Sequence, residues 1–146
     1  MLGFTLIGDL VPPTVLATAH LATRGHYVDA RAVEPAFSAA THLLSDVSAW
    51  ADDTTITTML TTFYRTVIER LADLPGEEVA TAVIADYTRP SSWRAYDGAL
   101  TALETVKRLG LPVAVFSNWQ SNLADVLSAA GLSGAIDGRR YAAPYR

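Results

Sequence analysis

The sequence predicts an α/β protein with a parallel sheet and a block of helices inserted after its first strand. Three observations favour this class. A continuous apolar run over 113–116 follows a Gly-Leu-Pro turn and ends in small polar residues, as a buried parallel strand does. A second apolar segment opens the chain at 1–7. Between the two, apolar residues recur every three or four positions, which is the period of amphipathic helices.

Composition excludes several classes of protein. The chain has 146 residues, half of them hydrophobic, and a net charge of −4, which fits one globular domain with a helical sub-domain. Acidic and basic residues are interspersed, so neither a nucleic acid nor an anionic membrane is an expected partner. The absence of cysteine excludes disulfides and thiolate metal sites. The opening apolar segment is too short for a signal peptide or a membrane span, so a cytoplasmic location is predicted.

The first strand is expected to end in a turn at Gly8-Asp9. A helix should start at Pro13, because proline suits the first helical turn, and should end at Gly25. Asp29 is a candidate cap for the next helix. Pro35 either lies in the first turn of that helix or kinks it.

The most periodic segment follows a cap at 52–54 and predicts a long helix that runs to about Leu74. Glu77 and Glu78 place negative charge at the start of a further helix, where the helix dipole favours it. Pro90 cannot continue that helix, so 89–92 is predicted to leave the helical block as a turn or an extended passage.

The remaining elements alternate between helix and strand. Asp97 is expected to cap a helix that closes at Gly110, and the strand that follows delivers Ser117 to its carboxyl end. Ligands bind at that end of the strands in open α/β sheets. One more helix ends at Gly131, and 135–141 is a candidate weak strand.

These segments resemble the haloacid dehalogenase-like hydrolase superfamily, in particular the members with a helical cap inserted after the first strand. The resemblance is carried by 93–103, by the strand 113–119 and by 123–132. In that family the second motif is a hydrophobic strand that ends in Ser or Thr followed by Asn, and Ser117 and Asn118 match it.

The resemblance implies a partial Rossmann-like parallel sheet with an inserted α-helical cap. The core would comprise 1–11 and 93–146, and the cap would comprise 12–92. It also implies a phosphatase-type hydrolase that uses Mg²⁺ and acts on a small phosphorylated ligand. In such an enzyme a carboxylate attacks phosphorus, and a second carboxylate serves as acid and base.

The carboxylates of the family's first motif are absent from the matching positions. Thr5 and Leu6 match the end of that motif, which places Met1 on the nucleophile and Gly3 on the acid and base. Asp9 is the nearby carboxylate, and a turn or capping role is favoured for it over that of a shifted nucleophile. The resemblance therefore yields no catalytic residue and no ligand for the expected Mg²⁺.

The later motifs of the family are also missing. Its third motif supplies a lysine, whereas Lys107 is expected to carry helix-end charge. For Arg139 and Arg140 a solvated tail is favoured over contact with a phosphate. The sequence thus predicts a truncated or degenerate, catalytically impaired hydrolase, in effect a pseudoenzyme. The alternative is a non-catalytic fold remnant or protein-interaction module. Either is expected to be stabilised by self-association through an exposed sheet edge or to be partly unstable.

The phosphate-binding residues predicted by the resemblance are Ser117 and Asn118. In one interpretation the Ser117 hydroxyl and the amides of Asn118 and Trp119, at the start of the next helix, hold an anion. In the other, these residues cap that helix, with Asn118 or Ser121 at the cap position. The two interpretations are compatible.

The histidines and tryptophans are predicted to be structural. The histidines have neither the spacing nor the carboxylate partners of a metal site, and the tryptophans are expected to anchor packing at the hinge between cap and core. They are His20, His26, His42, Trp50, Trp93 and Trp119.

Overall fold

A computed structural model describes residues 6–45, 52–117 and 119–141. These residues form a mixed α/β structure that is mostly helical, which confirms the fold class in its coarse form. Two compact units are present. The described residues within Val11–Thr88 form a helical unit, and those within Met1–Leu10 and Arg89–Tyr145 form an α/β unit.

The helical unit consists of four α-helices, with a short 3₁₀ turn at Thr41–Leu44 after the second. In chain order they are α1 (Pro13–Ala22), α2 (Ala30–Ala40), α3 (Asp53–Leu71) and α4 (Glu77–Tyr87).

Helix starts in this unit follow the local sequence signals. Pro13 is the first residue of α1, and the Asp29 side chain accepts a hydrogen bond from the Arg31 amide at the start of α2. At α3, the Asp52 side chain accepts from the Thr55 amide while the Thr55 hydroxyl accepts from the Asp52 amide, which is a capping box. These three predicted helix starts are confirmed.

Of the two places considered for Pro35, the structure has it inside α2 and not in the first turn, so the helix continues through a residue that has no amide to donate. One helix end differs from expectation. Helix α3 ends at Leu71 and not near Leu74, because Ala72 takes an extended conformation while its amide still bonds the Ile68 carbonyl.

The core of the helical unit is built around three aromatic rings that meet edge to face. Phe37 lies 5.8 Å from Phe63 and 6.2 Å from Tyr64, and the last two are 5.1 Å apart between ring centroids. The apolar faces of the four helices supply the rest of the buried cluster, namely Ala17, Leu21, Ala36, Ala40, Val67, Ile68, Val79, Ala80, Val83 and Ile84. The predicted helical periodicity therefore points one face of each helix inward.

The α/β unit has four short strands and two α-helices, with 3₁₀ turns at Pro90–Ser92 and Ser133–Ala135. In chain order the elements are β1 (Ile7–Asp9), β2 (Trp93–Ala95), α5 (Ala99–Arg108), β3 (Ala114–Ser117), α6 (Leu123–Ala129) and β4 (Gly138–Tyr141).

Strands β1 and β2 form an antiparallel pair in which Ile7 lies opposite Ala95 and Asp9 lies opposite Trp93. The expected turn at Gly8-Asp9 is therefore wrong, because both residues belong to β1. Sequence alone did not place a strand at 93–95, whose backbone bonds are what hold Gly8 and Asp9 extended. Of the strand expected at 1–7, residues 1–5 lie outside the described residues.

The close approach of a tyrosine ring explains the glycine in β1. A Cβ built on Gly8 would lie 2.8 Å from the ring of Tyr96. The Tyr96 amide in turn donates to the Leu6 carbonyl at 3.0 Å. Glycine at this position lets the ring lie against the strand backbone.

Strands β3 and β4 form a parallel pair, with Ala114 opposite Gly138 and Ser117 opposite Tyr141. The strand expected at 113–117 is thus confirmed, and the candidate strand at 135–141 is present from Gly138 onward. Within the described residues, the two strand pairs are separate two-stranded sheets. A larger Rossmann-like parallel sheet stays a prediction.

The helices of the α/β unit start without the expected side-chain caps. Gly98, and not Asp97, is the residue that precedes α5. Its φ of 82° is a left-handed conformation that glycine adopts readily. Asn122 precedes α6, in place of Asn118 or Ser121. The expected ends are confirmed, because Gly110 and Gly131 have φ values of 76° and 75° beyond α5 and α6.

A membrane-spanning helix, long and apolar enough to cross the bilayer, does not occur among residues 6–45, 52–117 and 119–141.

Candidate functional site

Ser117 is the last residue of β3, where the predicted site residue was expected. The strand is preceded by Val113, whose side chain is buried, and it pairs along its length with β4. This apolar anchoring, together with the strand bonds, fixes the backbone that carries Ser117. Asn118, the other predicted phosphate-binding residue, lies outside the described residues.

The Ser117 side chain bonds back to the chain that follows it. Its Oγ accepts a hydrogen bond from the Trp119 amide at 3.2 Å. The bond uses a lone pair of the oxygen, so the hydroxyl hydrogen is left to donate in another direction. A serine hydroxyl in this position can therefore offer a hydrogen bond to an anion while its oxygen is held in place.

The expected role of the Trp119 amide is wrong in consequence. That amide donates to Ser117 and does not lie at a helix start, because α6 begins only at Leu123. The intervening turn separates the strand end from the helix, and Asn122 occupies the position before α6 without a side-chain cap bond. Ser117 consequently does not cap α6.

Two indole rings meet next to Ser117. Trp119 lies edge to face against Trp93 of β2, with 4.7 Å between ring centroids and 81° between ring planes. Its indole Nε1 donates to the Asn122 Oδ1 at 2.9 Å. Trp93 is only 2% exposed, so it offers Trp119 a fixed surface. Trp93 and Trp119 thus pack against each other within the α/β unit, and their role at a hinge between cap and core stays a prediction. Trp50 lies outside the described residues.

Asp137 links the starts of β3 and β4. One carboxylate oxygen accepts from the Val113 amide at 2.9 Å, and the other lies 3.0 Å from the Lys107 Nζ. The Asp137 amide also donates to the Val113 carbonyl at 2.8 Å. The backbone hydrogen bond from Val113, followed by the Lys107 ammonium, holds the pKa of Asp137 below its ordinary value.

Lys107 therefore does more than carry helix-end charge. Besides pairing with Asp137, its Nζ donates to the Gly134 carbonyl at 3.2 Å, which ties α5 to the turn before β4. Sequence reasoning missed this contact, since Lys107 and Asp137 are far apart in the chain and neither belongs to a motif. The lysine borders an open groove of about 570 Å³, whose lining residues are Leu100, Glu104, Lys107, Arg108, Gly131, Gly134 and Ala135. Ser117 is not one of them.

The helical unit holds a polar pair that the sequence did not reveal. His20 on α1 lies with its Nε2 2.9 Å from the Asp86 Oδ2 on α4. Nearby, Arg24 bonds Glu78 at 2.8 Å. The histidine and its partner lie on different helices, and no local spacing signals the contact.

The described residues do not present a site that fits the Mg²⁺ expected from the family resemblance. Within 6–45, 52–117 and 119–141, no three His, Asp or Glu side chains lie together in a way that could hold a metal ion. Asp9, the carboxylate considered as a shifted nucleophile, ends β1 opposite Trp93. Met1 and Gly3 lie outside the described residues.

Arg139 and Arg140 were expected in a solvated tail. Their backbones belong to β4, opposite Val115 and Phe116 of β3. The expectation of a tail is therefore wrong for the backbone, which is part of a sheet.

Comparison with known proteins gives two partial similarities. The chain is 33% identical over 72 residues to haloacid dehalogenase-like hydrolase domain-containing protein 3 of Mus musculus, a match that covers 47% of this chain and 29% of that protein. The protein of the same name from Bos taurus is 34% identical over 59 residues, which cover 40% of this chain and 24% of that protein. The chain thus spans less than a third of either relative. No family model matches the sequence.

Proposed function

We propose that this chain is a haloacid dehalogenase-like protein of the phosphatase type, and that Ser117 is its contact to a phosphate group. The observation that carries the proposal is the place of Ser117 at the carboxyl end of the parallel strand β3. The partial similarity to two haloacid dehalogenase-like proteins supports the same assignment. In this proposal the α/β unit corresponds to the Rossmann-like core and the helical unit to the cap.

The chemistry proposed for Ser117 is the recognition of an anion. Its Oγ is held by the Trp119 amide, so the hydroxyl hydrogen can donate to a phosphate oxygen. A hydrogen bond to a charged acceptor is roughly twice as strong as one between neutral groups. The expected ligand is a small phosphorylated molecule. In this proposal Asn118 contacts the same phosphate as Ser117.

Binding without hydrolysis is the second part of the proposal. Met1 and Gly3 stand at the positions that match the family's nucleophile and its acid and base, and neither side chain can attack phosphorus or transfer a proton.

A titration of the purified chain with inorganic phosphate, followed by NMR, tests the binding proposal. We expect saturable shifts, and we expect Ser117→Ala to weaken the affinity about tenfold to a hundredfold, as the loss of a hydrogen bond to a charged group does. Ser128→Ala, an exposed serine on α6, is the matched control and should bind as the unaltered chain does. Equal affinity in the two variants, or no saturation at all, would overturn the proposal.

Hydrolysis is tested separately with p-nitrophenyl phosphate in the presence of MgCl₂. The expected result is no release of p-nitrophenol above that of a protein-free solution. Release that needs Mg²⁺, stops on chelation and is lost in Ser117→Ala would show that the chain is an active phosphatase and that binding without hydrolysis is wrong.

Self-association through an exposed sheet edge also stays a proposal. Within the described residues, β3 has β4 as its strand partner and each sheet has two strands, which leaves backbone groups at the edges to pair with another chain. Sedimentation velocity over a wide concentration range should show a coefficient that rises with concentration. A single species that stays monomeric at every concentration contradicts this.

A further inference from the structure

We infer that Trp119 and Asn122 are positioning residues for Ser117, so that the affinity of the site for phosphate depends on a hydrogen bond that never touches the ligand. The inference rests on the proposed function, in which Ser117 contacts phosphate. The four side chains and the one amide that carry it belong to the α/β unit and lie in the described part of the chain.

Ser117 and Trp119 are joined by a hydrogen bond between a backbone amide and a side chain. The Trp119 amide donates to the Ser117 Oγ at 3.2 Å, which is at the long end of the range for such bonds. The strength of a hydrogen bond falls steeply as its geometry worsens, so a small shift of the Trp119 backbone would release the hydroxyl. The orientation of Ser117 therefore depends on what holds Trp119.

A pair of contacts holds the Trp119 side chain. Its indole Nε1 donates to Asn122 Oδ1 at 2.9 Å, a near-ideal distance, and its ring meets Trp93 edge to face. Trp93 is almost fully buried in β2 and cannot readily move. The indole is thus fixed from two sides, one apolar and one polar.

Asn122 is the residue that precedes α6. The residue before a helix commonly caps it with its side chain, yet Asn122 makes no side-chain cap bond to α6. Its Oδ1 accepts from Trp119 instead. This residue therefore gives up a common stabilising contact of the helix start and contributes to the order of the turn that follows Ser117.

The inference is tested by removing the same hydrogen bond from either end. Asn122→Ala removes the acceptor, and Trp119→Phe removes the donor while it keeps a ring against Trp93 and the backbone amide. We expect each variant to bind inorganic phosphate about three- to tenfold more weakly, the range for one net hydrogen bond. The double variant should be no weaker than either single one, because both act through one bond.

Two further readouts separate positioning from general damage to the fold. In a Ser117→Ala background, Asn122→Ala should cause no additional loss of phosphate affinity, whereas unspecific destabilisation would add to it. Circular dichroism from the coupled indoles of Trp93 and Trp119 should weaken in Asn122→Ala, since the ring loses its polar anchor, and should be unchanged in the Ser128→Ala control.

The outcomes distinguish this inference from the proposed function. If Ser117→Ala abolishes phosphate binding while Asn122→Ala and Trp119→Phe bind normally, the positioning role is wrong and the proposed function stands. If Ser117→Ala binds phosphate as the unaltered chain does, both are wrong. Additive losses in the double variant also overturn the inference, because they show that the two residues act independently.

Discussion

The helical unit and the α/β unit differ in how their backbone amides and carbonyls are hydrogen-bonded. In α1 to α4 the amides and carbonyls pair within each helix, so the tertiary contacts are left to an apolar cluster around Phe37, Phe63 and Tyr64. In the α/β unit the short strands must find partners elsewhere in the chain, and side chains such as Asp137 help to hold them.

This difference explains where chemistry can reside. Side chains on the inner faces of the helices are committed to packing, and the ion pair of His20 with Asp86 joins one helix to another. The strand ends of the α/β unit instead present polar groups on a backbone that pairs with a neighbouring strand, as at Ser117. Packing of the helical unit and the phosphate contact proposed for Ser117 therefore depend on different elements of this chain.

Ile68→Ala tests the apolar cluster of the helical unit and is expected to have the largest effect on stability. Ile68 is fully buried in the cluster of the helical unit. Its truncation should lower the free energy of unfolding by about 2–5 kcal/mol, through lost burial and a residual cavity. Urea denaturation measures the loss. Leu109→Ala, at a leucine that is 72% exposed, is the control and should change stability by less than about 0.5 kcal/mol. Similar effects for the two variants would contradict the role of the cluster.

Gly110→Ala tests the α/β unit, because an alanine at this position strains the backbone of the turn that leads into β3. Gly110 has a φ of 76°, a left-handed conformation that costs an alanine about 1–2 kcal/mol, although no atom would contact the added Cβ. Thermal unfolding should show the loss. Gly134→Ala is a matched control, since its Cβ would also meet open space and its φ is not positive. Equal stability of the two variants would show that the backbone can relax around Gly110.

Asp137→Asn should produce the smallest change, and one that depends on pH. The folded-state pKa of Asp137 lies below its unfolded value, so the carboxylate stabilises the fold fully above the unfolded value of about 4. This contribution is lost as the pH falls through the lower folded-state pKa. The difference in unfolding free energy between the unaltered chain and Asp137→Asn should therefore shrink as acid is added below pH of about 4.

Urea unfolding at a series of pH values measures that difference. Asp73→Asn, at an exposed aspartate beyond α3, is the control and should show no comparable trend. A gap that stays constant, or widens, toward low pH would mean that the bonds from Val113 and Lys107 do not stabilise the charged form of Asp137.

Local sequence signals determined most of the helices. The apolar period, the capping aspartates Asp29 and Asp52, and the glycines that follow α5 and α6 are all short-range features, and each is confirmed. Such signals act within a few residues, so they can be interpreted without knowledge of the rest of the chain. The strand that ends at Ser117 was predictable for the same reason.

The strand pairs, ion pairs and ring contacts between distant residues are visible only in the tertiary structure. Several contacts join distant parts of the chain. Gly8 and Asp9 pair with Trp93–Ala95, Asp137 bonds Val113 and Lys107, and His20 contacts Asp86. The same holds for Trp93 against Trp119 beside the candidate site. Local propensity carries no information about such partners, because the free energy of a strand pair or an ion pair depends on which groups the folded chain brings together.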